Sequence, residues 1–530
     1  MHKSVIETLW FRVACGLFIT ACVAVRTVEG LDISWNGIRF ARAYALARGL
    51  DLYSPPDSGV ISGLIYGPVG YFLFAPAALW TSPLPALATA CLMSALATLG
   101  PAALVLSGRG NSSGAKPWVL PVFTVLVVHF YAASATIGVW TIHTDAAALG
   151  LMCMTLYWTL RHPLEKTFSW NLAAAAICAA LAVWAKQTAA PILVVPAAYL
   201  FLAGCRRGAW RLLGLTGVAA ALMGILFGVW YGFSDLRLTI FEIPSGHPRF
   251  AGAPLLEWRL ITEFMEILFL LGVVLAASAA LEKSPAQAEL TNLGERPSLL
   301  SRCRRLVPAG RAWMLFCGMG LALLPMAFLG RMKVSGSSNN FGAPDYFVAL
   351  GIALLFLRLA GRVEFRQGPG RRALQASLLL LLAILGARSM ASFIVTSDAL
   401  AARWPPPIQA AYEHALAHPG TTYFPWYPLA NLMADGSYNH TAWGVLEREW
   451  AGFPVSEAHL RAELPENLER IATFDELPLI QAIHSRTWDH FVLQGLPEFR
   501  CLVTAPDLPG WTVLERGPET CESAQSLSIR

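Results

Sequence analysis

The sequence predicts an α-helical polytopic membrane protein that carries a small α/β domain at its C-terminal end. Only 14% of the 530 residues are charged, whereas 55% are hydrophobic, and the mean hydropathy is +0.52. Soluble globular chains carry roughly 25% charged residues. The apolar residues also gather into segments near the length of about 20 residues that an α-helix needs to cross a bilayer.

About eleven apolar segments are predicted to span the membrane. They are Leu9–Val28, Pro83–Leu106, Pro117–Ala135, Asp145–Leu160, Trp170–Ala185, Thr188–Ala203, Leu212–Phe233, Phe264–Leu281, Trp313–Leu329, Tyr346–Leu359 and Leu374–Val395. The stretch from Trp170 to Ala203 is divided at Lys186, because a lysine at the centre of a bilayer is costly.

The short piece Ile65–Trp80 decides the topology. It is interrupted by proline and glycine, and we predict that it lies at the membrane interface or re-enters without crossing. Nearly every cluster of lysine and arginine then falls in loops on one side, as the positive-inside rule requires. The prediction is a multi-pass protein of a bacterial-type inner membrane, with a cytoplasmic N-terminus and an extracytoplasmic C-terminus.

Two domains are predicted. Residues 1–395 form the transmembrane module, with a first outer loop at 29–82, and residues 396–530 form the extracytoplasmic α/β domain, with β-like runs HFVLQG, CLVTAP and WTVLERG. Cys501 and Cys521 in this domain are either bridged or two free thiols. The net charge of +5 is attributed to arginines in cytoplasmic loops, so no nucleic-acid partner is expected.

This topology collects polar side chains on the outer face. Lysine and arginine are suited to holding a phosphate, and a carboxylate can accept the proton of a hydroxyl group. Ionisable groups at membrane depth usually face a cavity. The candidate site residues are Asp32, Asp51, Tyr66, His143, Asp145, Lys186, Gln187, Arg249, Arg331, Lys333 and Asn340.

The motifs in these loops resemble those of the GT-C superfamily of membrane glycosyltransferases, which includes protein O-mannosyltransferases and lipid A aminoarabinose transferases. Asp32 follows the first span, and G-x-D-x-Y (Gly49 to Tyr53) and Y-G-P (Tyr66 to Pro68) come after it. HTDAAALGL is similar to the second acidic motif, WAKQTAAP to the lysine-bearing turn, and KVSGSSNNF to a loop of some bacterial relatives. The resemblance covers about Leu9 to Leu359.

The resemblance implies an inverting transfer of a sugar from a polyprenyl-phosphate donor to a hydroxyl group of a glycan, lipid or protein. Asp32 is the predicted general base, with Asp51 as its rival. His143 and Asp145 would position the acceptor, orient Asp32 or share a metal. The family's acid pair appears here as Asp32 and Ile33, and its D-x-D as His143-x-Asp145. No cofactor is therefore predicted, and a divalent metal is not supported.

The remaining candidates have proposed roles beside simpler structural ones. Lys186, Arg249, Arg331 and Lys333 are predicted to hold the donor phosphate, and Gln187 belongs to the polar cluster beside Lys186. A lysine can also snorkel to water, and lone outer charges are often only solvated. The plain alternatives for the other residues are a surface salt bridge for Asp32, a turn for Asp51, and helix capping by Thr144 or Asp145. Asn340 either binds sugar hydroxyls or shapes its loop, and Tyr66 either lines the path of the lipid tail or belongs to an aromatic belt.

Three other functions remain open from the sequence. A secondary transporter would carry inverted repeats and paired broken helices, which we do not find. A non-catalytic glycan-assembly or flippase protein would not need Asp32. An O-antigen ligase or polymerase would have a large outer loop late in the membrane region, whereas the largest outer element here is the terminal domain.

Overall fold

The computed structural model describes residues 8–63, 65–109, 115–132, 136–249, 312–333, 338–361, 368–402, 404–474 and 498–517, with residues 268, 272, 336 and 496. Within these ranges the chain is mainly helical, and a single small sheet is described near the C-terminal end. The predicted fold class is confirmed. The predicted span Phe264–Leu281 and the run HFVLQG lie outside the described residues.

The α-helices follow one another along the chain. They are α1 Leu9–Glu29, α2 Ser34–Ala47, α3 Val69–Phe72, α4 Pro83–Arg109, α5 Val119–Ala132, α6 Thr136–Trp140, α7 Thr144–Arg161, α8 Trp170–Ala185, α9 Val195–Leu202, α10 Arg206–Tyr231, α11 Phe233–Arg237, α12 Ile243–Gly246, α13 Ala312–Arg331, α14 Gly342–Ala360, α15 Gly368–Ala402, α16 Pro407–Ala417, α17 Pro428–Ala434, α18 Ala442–Trp450 and α19 Glu457–Ala462. Short 3₁₀ turns cover Ala75–Leu79, Lys116–Trp118, Gln187–Leu193 and Ser338–Phe341, and a π-helical turn covers Leu238–Glu242.

Six helices in the described part of the chain are long and apolar enough to cross a membrane. They are Leu9–Glu29, Pro83–Gly108, Arg206–Tyr231, Ala312–Arg331, Asn339–Ala360 and Leu374–Val395. Three shorter apolar helices, Lys116–Tyr131, Trp170–Ala185 and Gln187–Leu202, coincide with further predicted spans. The chain is thus a multi-pass membrane protein, while the number of spans stays a prediction.

The predicted topology depends on the local structure of two stretches. Between Ile65 and Trp80 the chain forms the single turn α3 and one 3₁₀ turn, and neither is long enough to cross a bilayer. The stretch after Trp170 is divided as expected. Helix α8 ends at Ala185, Lys186 is extended with φ −154°, and a 3₁₀ turn that contains Pro191 leads into α9.

The residues form two compact units. Unit 1 consists of Met1–Arg26, Ser94–Met223 and Arg249–Phe393, and unit 2 consists of Thr27–Met93, Gly224–Pro248 and Ile394–Arg530. Unit 2 therefore takes in the first outer loop as well as the C-terminal residues. The predicted division after residue 395 stays a prediction.

Unit 1 is built from apolar helices in close contact. Helix α7 packs along α8 and also crosses α4, where a Cβ atom on Gly150 would lie 2.1 Å from the carbonyl oxygen of Ala97. On α14, the hydroxyl group of Tyr346 donates to the carbonyl oxygen of Thr98 at 2.7 Å, and its ring stacks on Phe130. Small residues and interhelical hydrogen bonds of this kind are the usual means of joining helices in membranes.

Unit 2 contains the four-stranded sheet. Its strands are β1 Thr422–Tyr423, β2 Arg470–Phe474, β3 Phe499–Val503 and β4 Trp511–Arg516, in the order β1-β2-β4-β3. The first pair is parallel and the other two pairs are antiparallel. The runs CLVTAP and WTVLERG were predicted to be β-like, and β3 and β4 confirm this prediction. The apolar face of the sheet packs on α18, and Ile61 of the first outer loop joins the same core.

Cys501, on β3, is disulfide-bonded, so the alternative of a free thiol at this position is wrong. The other seven cysteines in the described ranges are free. Cys521, the predicted partner, lies outside the described residues.

Candidate functional site

His143, Asp145 and Lys186 form one buried cluster in unit 1. The Nζ atom of Lys186 lies 2.5 Å from Oδ1 of Asp145, and Nδ1 of His143 lies 2.9 Å from Oδ2 of the same carboxylate. All three residues are less than 9% exposed. The ammonium group of Lys186 is therefore paired with a carboxylate, and the residue is not a lysine that snorkels to water.

The start of α7 and the end of α8 bring this cluster together. Helix α7 begins at Thr144, and the preceding His143 is extended and caps the helix. Its Nδ1 atom is 3.2 Å from the backbone nitrogen of Asp145. Nδ1 accepts from this N–H when it is unprotonated and donates to the Asp145 carboxylate when it is protonated. The assignment of the helix cap to Thr144 or Asp145 is therefore wrong. The cap is His143, whose imidazole accepts the hydrogen bond from the backbone nitrogen of Asp145.

The position of Asp145 in the first turn of α7 adds to the stabilisation of its charge. The partial positive charge at a helix N-terminus favours a carboxylate there. Lys186 approaches from the end of α8, where its extended backbone interrupts the helix. Gln187 follows in the 3₁₀ turn and is half-buried. The arrangement holds a carboxylate between two nitrogen groups at a helix end.

A second cluster in unit 1 is basic. Arg249 and Lys333 are joined by an antiparallel backbone bridge. Arg249 is exposed, and Lys333 is half-buried. Burial first, and then the positive charge of Arg249, lower the pKa of Lys333 below its ordinary value. Two neighbouring cations of this kind are suited to binding an anion.

Two other predicted residues shape the loop after α13. The Nη1 atom of Arg331 donates to the carbonyl oxygen of Gly336 at 2.6 Å. Asn340 lies in the 3₁₀ turn, where a Cβ atom on Gly330 would come 2.3 Å from its Oδ1. These contacts favour the loop-shaping interpretation of Asn340 and give Arg331 a similar role.

The carboxylates of the first outer loop belong to unit 2. Asp32 is half-buried between α1 and α2 and lines a narrow crevice with Leu87, Ile408 and Tyr427. Asp51 is exposed and follows the turn at Arg48 and Gly49 that ends α2. That turn depends on Gly49, whose φ of 74° lies in the left-handed region. The structure thus places Asp51 two residues after this turn and Asp32 beside a crevice.

Tyr66 is half-buried in unit 2, and its carbonyl oxygen accepts a hydrogen bond of 2.8 Å from the hydroxyl group of Tyr53. This bond ties Y-G-P to G-x-D-x-Y, so the two motifs of the first outer loop form one folded segment. A position along a lipid path stays a prediction for Tyr66.

Sequence reasoning missed a buried polar network in unit 2. Arg42 of α2 donates to the carbonyl oxygen of Ser62 at 2.8 Å and to the hydroxyl group of Tyr71 at 3.2 Å. Glu447 of α18 is 2% exposed. Burial raises the pKa of Glu447 to about 8, although Arg42, Trp443 and Arg39 oppose the shift.

The sequence contains only a weak indication that Glu447 is buried. Trp443, Glu447 and Trp450 are spaced along one face of a short helix, as buried residues are. An acid at such a position is more often solvent-facing. In the fold, Glu447 lines a cavity of about 20 Å³ with Ser62 and Gly444, which has room for about one water molecule.

The first outer loop is fastened by residues from the C-terminal part of unit 2. Arg448 donates to the carbonyl oxygen of Pro56 at 2.8 Å, and His459 lies 2.7 Å from that of Gly59. The backbone nitrogen of Ile61 donates to Nδ1 of His440 at 2.9 Å. The loop that carries the family-like motifs is therefore held in a defined conformation.

Comparison with solved structures finds similar folds at low identity. ArnT from Cupriavidus metallidurans bound to undecaprenyl phosphate is 12% identical, with a TM-score of 0.49 over 95% of this chain and 98% of that chain. The apo state of the same ArnT is 14% identical, with a TM-score of 0.48 over 95% of this chain and 99% of that chain. A third structure is the oligosaccharyltransferase AglB from Archaeoglobus fulgidus in complex with an inhibitory peptide and a dolichol-phosphate. It is 11% identical, with a TM-score of 0.43 over 97% of this chain and 76% of that chain.

No family model matches the chain, and no curated protein matches it. Because the identities do not exceed 14% and the TM-scores stay below 0.5, the function has to be inferred from the residues of this chain.

Proposed function

We propose that the chain is an integral membrane glycosyltransferase, which moves a sugar from a polyprenyl-phosphate donor to a hydroxyl group of a glycan, lipid or protein. The observation that carries the proposal is the buried cluster of His143, Asp145 and Lys186. It lies where two apolar helices begin and end. Ionisable groups are costly beside membrane helices and usually mark a working site.

The proposed binding residues for the donor phosphate are Arg249, Lys333 and Lys186 of unit 1. Arg249 and Lys333 are neighbours that repel each other, and an anionic phosphate between them would remove this repulsion. The ammonium group of Lys186 donates to Asp145. Its positive charge is proposed to attract the phosphate, with Gln187 next to it in the chain.

The proposed reaction is an inverting displacement. The acceptor oxygen attacks the anomeric carbon and forms the new C–O bond while Asp32 accepts the hydroxyl proton. The bond between that carbon and the phosphate oxygen breaks, and polyprenyl phosphate leaves with the bonding electron pair. Lysine and arginine would stabilise the negative charge of the leaving phosphate.

The role of Asp32 is tested by lipid and glycan mass spectrometry of a strain that lacks the protein. Wild type is expected to restore the missing product. Asp32→Asn keeps the size of the side chain but removes the base, and we expect it to lower product formation at least about 100-fold. Asp51→Asn is the matched control in the same outer loop and is expected to restore the product.

The same experiment separates the competing functions. A non-catalytic assembly or flippase protein has no need of a base, so it would work equally well with either variant. Full restoration by Asp32→Asn at equal protein abundance would therefore contradict the proposed mechanism. Loss of product with Asp51→Asn, and not with Asp32→Asn, would transfer the role of base to Asp51.

A further inference from the structure

A cluster of metal-ligating side chains lies in unit 2, apart from the residues assigned to sugar transfer. His414 is in the last turn of α16, and His418 follows the helix. Asp507 lies in the turn between β3 and β4. One nitrogen of each imidazole and one carboxylate oxygen all lie within 4.8 Å of one another.

The distances are close to those of a metal site. Oδ2 of Asp507 is 2.5 Å from Nδ1 of His414 and 3.7 Å from Nε2 of His418. Zinc–ligand bonds of about 2.0–2.1 Å in a tetrahedron separate the ligand atoms by about 3.3 Å. The two distances from Oδ2 of Asp507 fall on both sides of this value, so a shift of the carboxylate by about 1 Å would bring both close to it.

The three side chains differ in freedom in a way that suits metal entry. The side chain of His414 is fully buried, whereas those of His418 and Asp507 are 47% and 46% exposed. The buried imidazole is fixed by its surroundings, and the exposed pair can adjust to an incoming ion. The exposed side also leaves a fourth position for water.

His414 has a further partner that a metal ligand needs. Its Nε2 atom lies 2.9 Å from Oγ1 of the buried Thr422, the first residue of β1. Metal-ligating histidines usually bond through their second ring nitrogen, which fixes the tautomer and the orientation of the ring. Here the bond to Thr422 leaves Nδ1 directed at Asp507. The two histidines are at positions i and i+4 of the sequence, which is also a known spacing of zinc ligands.

We propose that His414, His418 and Asp507 bind one divalent transition-metal ion, with zinc as the reference ion. The ion would join the end of α16 to the connection between β3 and β4. Its role is to stabilise the C-terminal part of unit 2, because a ligand that binds only the folded state raises its stability. The proposal uses none of the residues of the transfer mechanism and stands without it.

The test uses the full-length protein in detergent, without a histidine tag, after chelation and removal of the chelator. Zinc binding is measured by competition with a chromophoric chelator, and the melting temperature is followed with and without zinc. We expect one zinc per chain and a higher melting temperature when zinc is bound. His418→Ala and Asp507→Ala are expected to weaken binding at least about 10-fold.

Glu413→Ala is the matched control, since Glu413 is an exposed acid on the same helix outside the cluster. It is expected to bind zinc as the wild type does. His418→Gln is a second variant that keeps a polar side chain if alanine impairs folding. Equal affinity in wild type and in the His418 and Asp507 variants would overturn the proposal, as would wild-type protein that binds less than one zinc per chain at saturation.

Discussion

Lys186 and Asp145 form an ion pair that is almost fully removed from water. Removing one member of a buried pair leaves the other as an uncompensated charge, which typically costs about 3–5 kcal/mol. We therefore expect Lys186→Met to lower the stability of the purified protein by about this amount. The measurement is the shift of its thermal unfolding transition.

The double variant Lys186→Met with Asp145→Asn tests the cause of this loss. It removes both charges, so it is expected to be more stable than Lys186→Met alone. If the double variant is less stable by the sum of the two single effects, then the two side chains do not act as a pair.

Glu447 gives the chain a predictable pH dependence. Its pKa is raised from 4.5 to about 8, mainly because burial favours the neutral acid. The folded state therefore holds a proton that the unfolded chain releases above pH 4.5, and the associated stability is lost as the pH rises to about 8. Since one pKa unit corresponds to about 1.4 kcal/mol, the loss amounts to a few kcal/mol.

The variant Glu447→Gln stays neutral at every pH. We expect its melting temperature to match the wild type near pH 5 and to exceed it near pH 8.5, when both are recorded across this range. Glu466→Gln, at an exposed position, should follow the wild type throughout. Parallel curves for wild type and Glu447→Gln would mean that Glu447 is not held neutral by the fold.

At the scale of elements, α4 and α7 cross at a point that only glycine allows. A Cβ atom on Gly150 would lie 2.1 Å from the backbone oxygen of Ala97, which cannot move aside without moving its helix. Gly150→Ala is expected to cost about 1–3 kcal/mol through this overpacking, measured as a lower melting temperature.

Gly214→Ala is the control for this substitution. Gly214 lies in α10 with no atom within 4 Å of the added Cβ, and alanine favours a helix by roughly 0.5–1 kcal/mol over glycine. Gly214→Ala should thus leave the melting temperature unchanged or raise it. An equal effect of both substitutions would show that the helix crossing is not the cause.

Helices could be located from the sequence more surely than their ends. The predicted span Trp170–Ala185 has the same bounds as α8, since an alanine-rich run ends at a charged residue. The predicted span Asp145–Leu160 begins one residue after the start of α7, and the residue that caps this helix is His143. Capping is usually expected of serine, threonine, asparagine or aspartate, and the choice of an imidazole depends on its packed surroundings.

At the scale of the whole molecule, the topology is testable by reporter fusions. The distribution of arginine and lysine predicts that Gly108 is cytoplasmic and that the C-terminal residues are extracytoplasmic. A fusion after Gly108 is expected to be active only with a cytoplasmic reporter, and a fusion after Arg530 only with an extracytoplasmic one. An outer location of Gly108 would mean that Ile65–Trp80 crosses the membrane, which would separate the proposed site residues.

The sequence alone determined the membrane class, the division of the chain at Lys186 and the turn at Gly49, because apolar length, buried charge and positive φ are local properties. Only the tertiary structure decided which polar groups meet. The pairing of Lys186 with Asp145 joins residues 41 positions apart. The surroundings of Glu447 bring together Arg42 of α2, the segment that contains Ser62, and α18. Such contacts depend on how elements pack, and residue order does not encode them in a form that can be read locally.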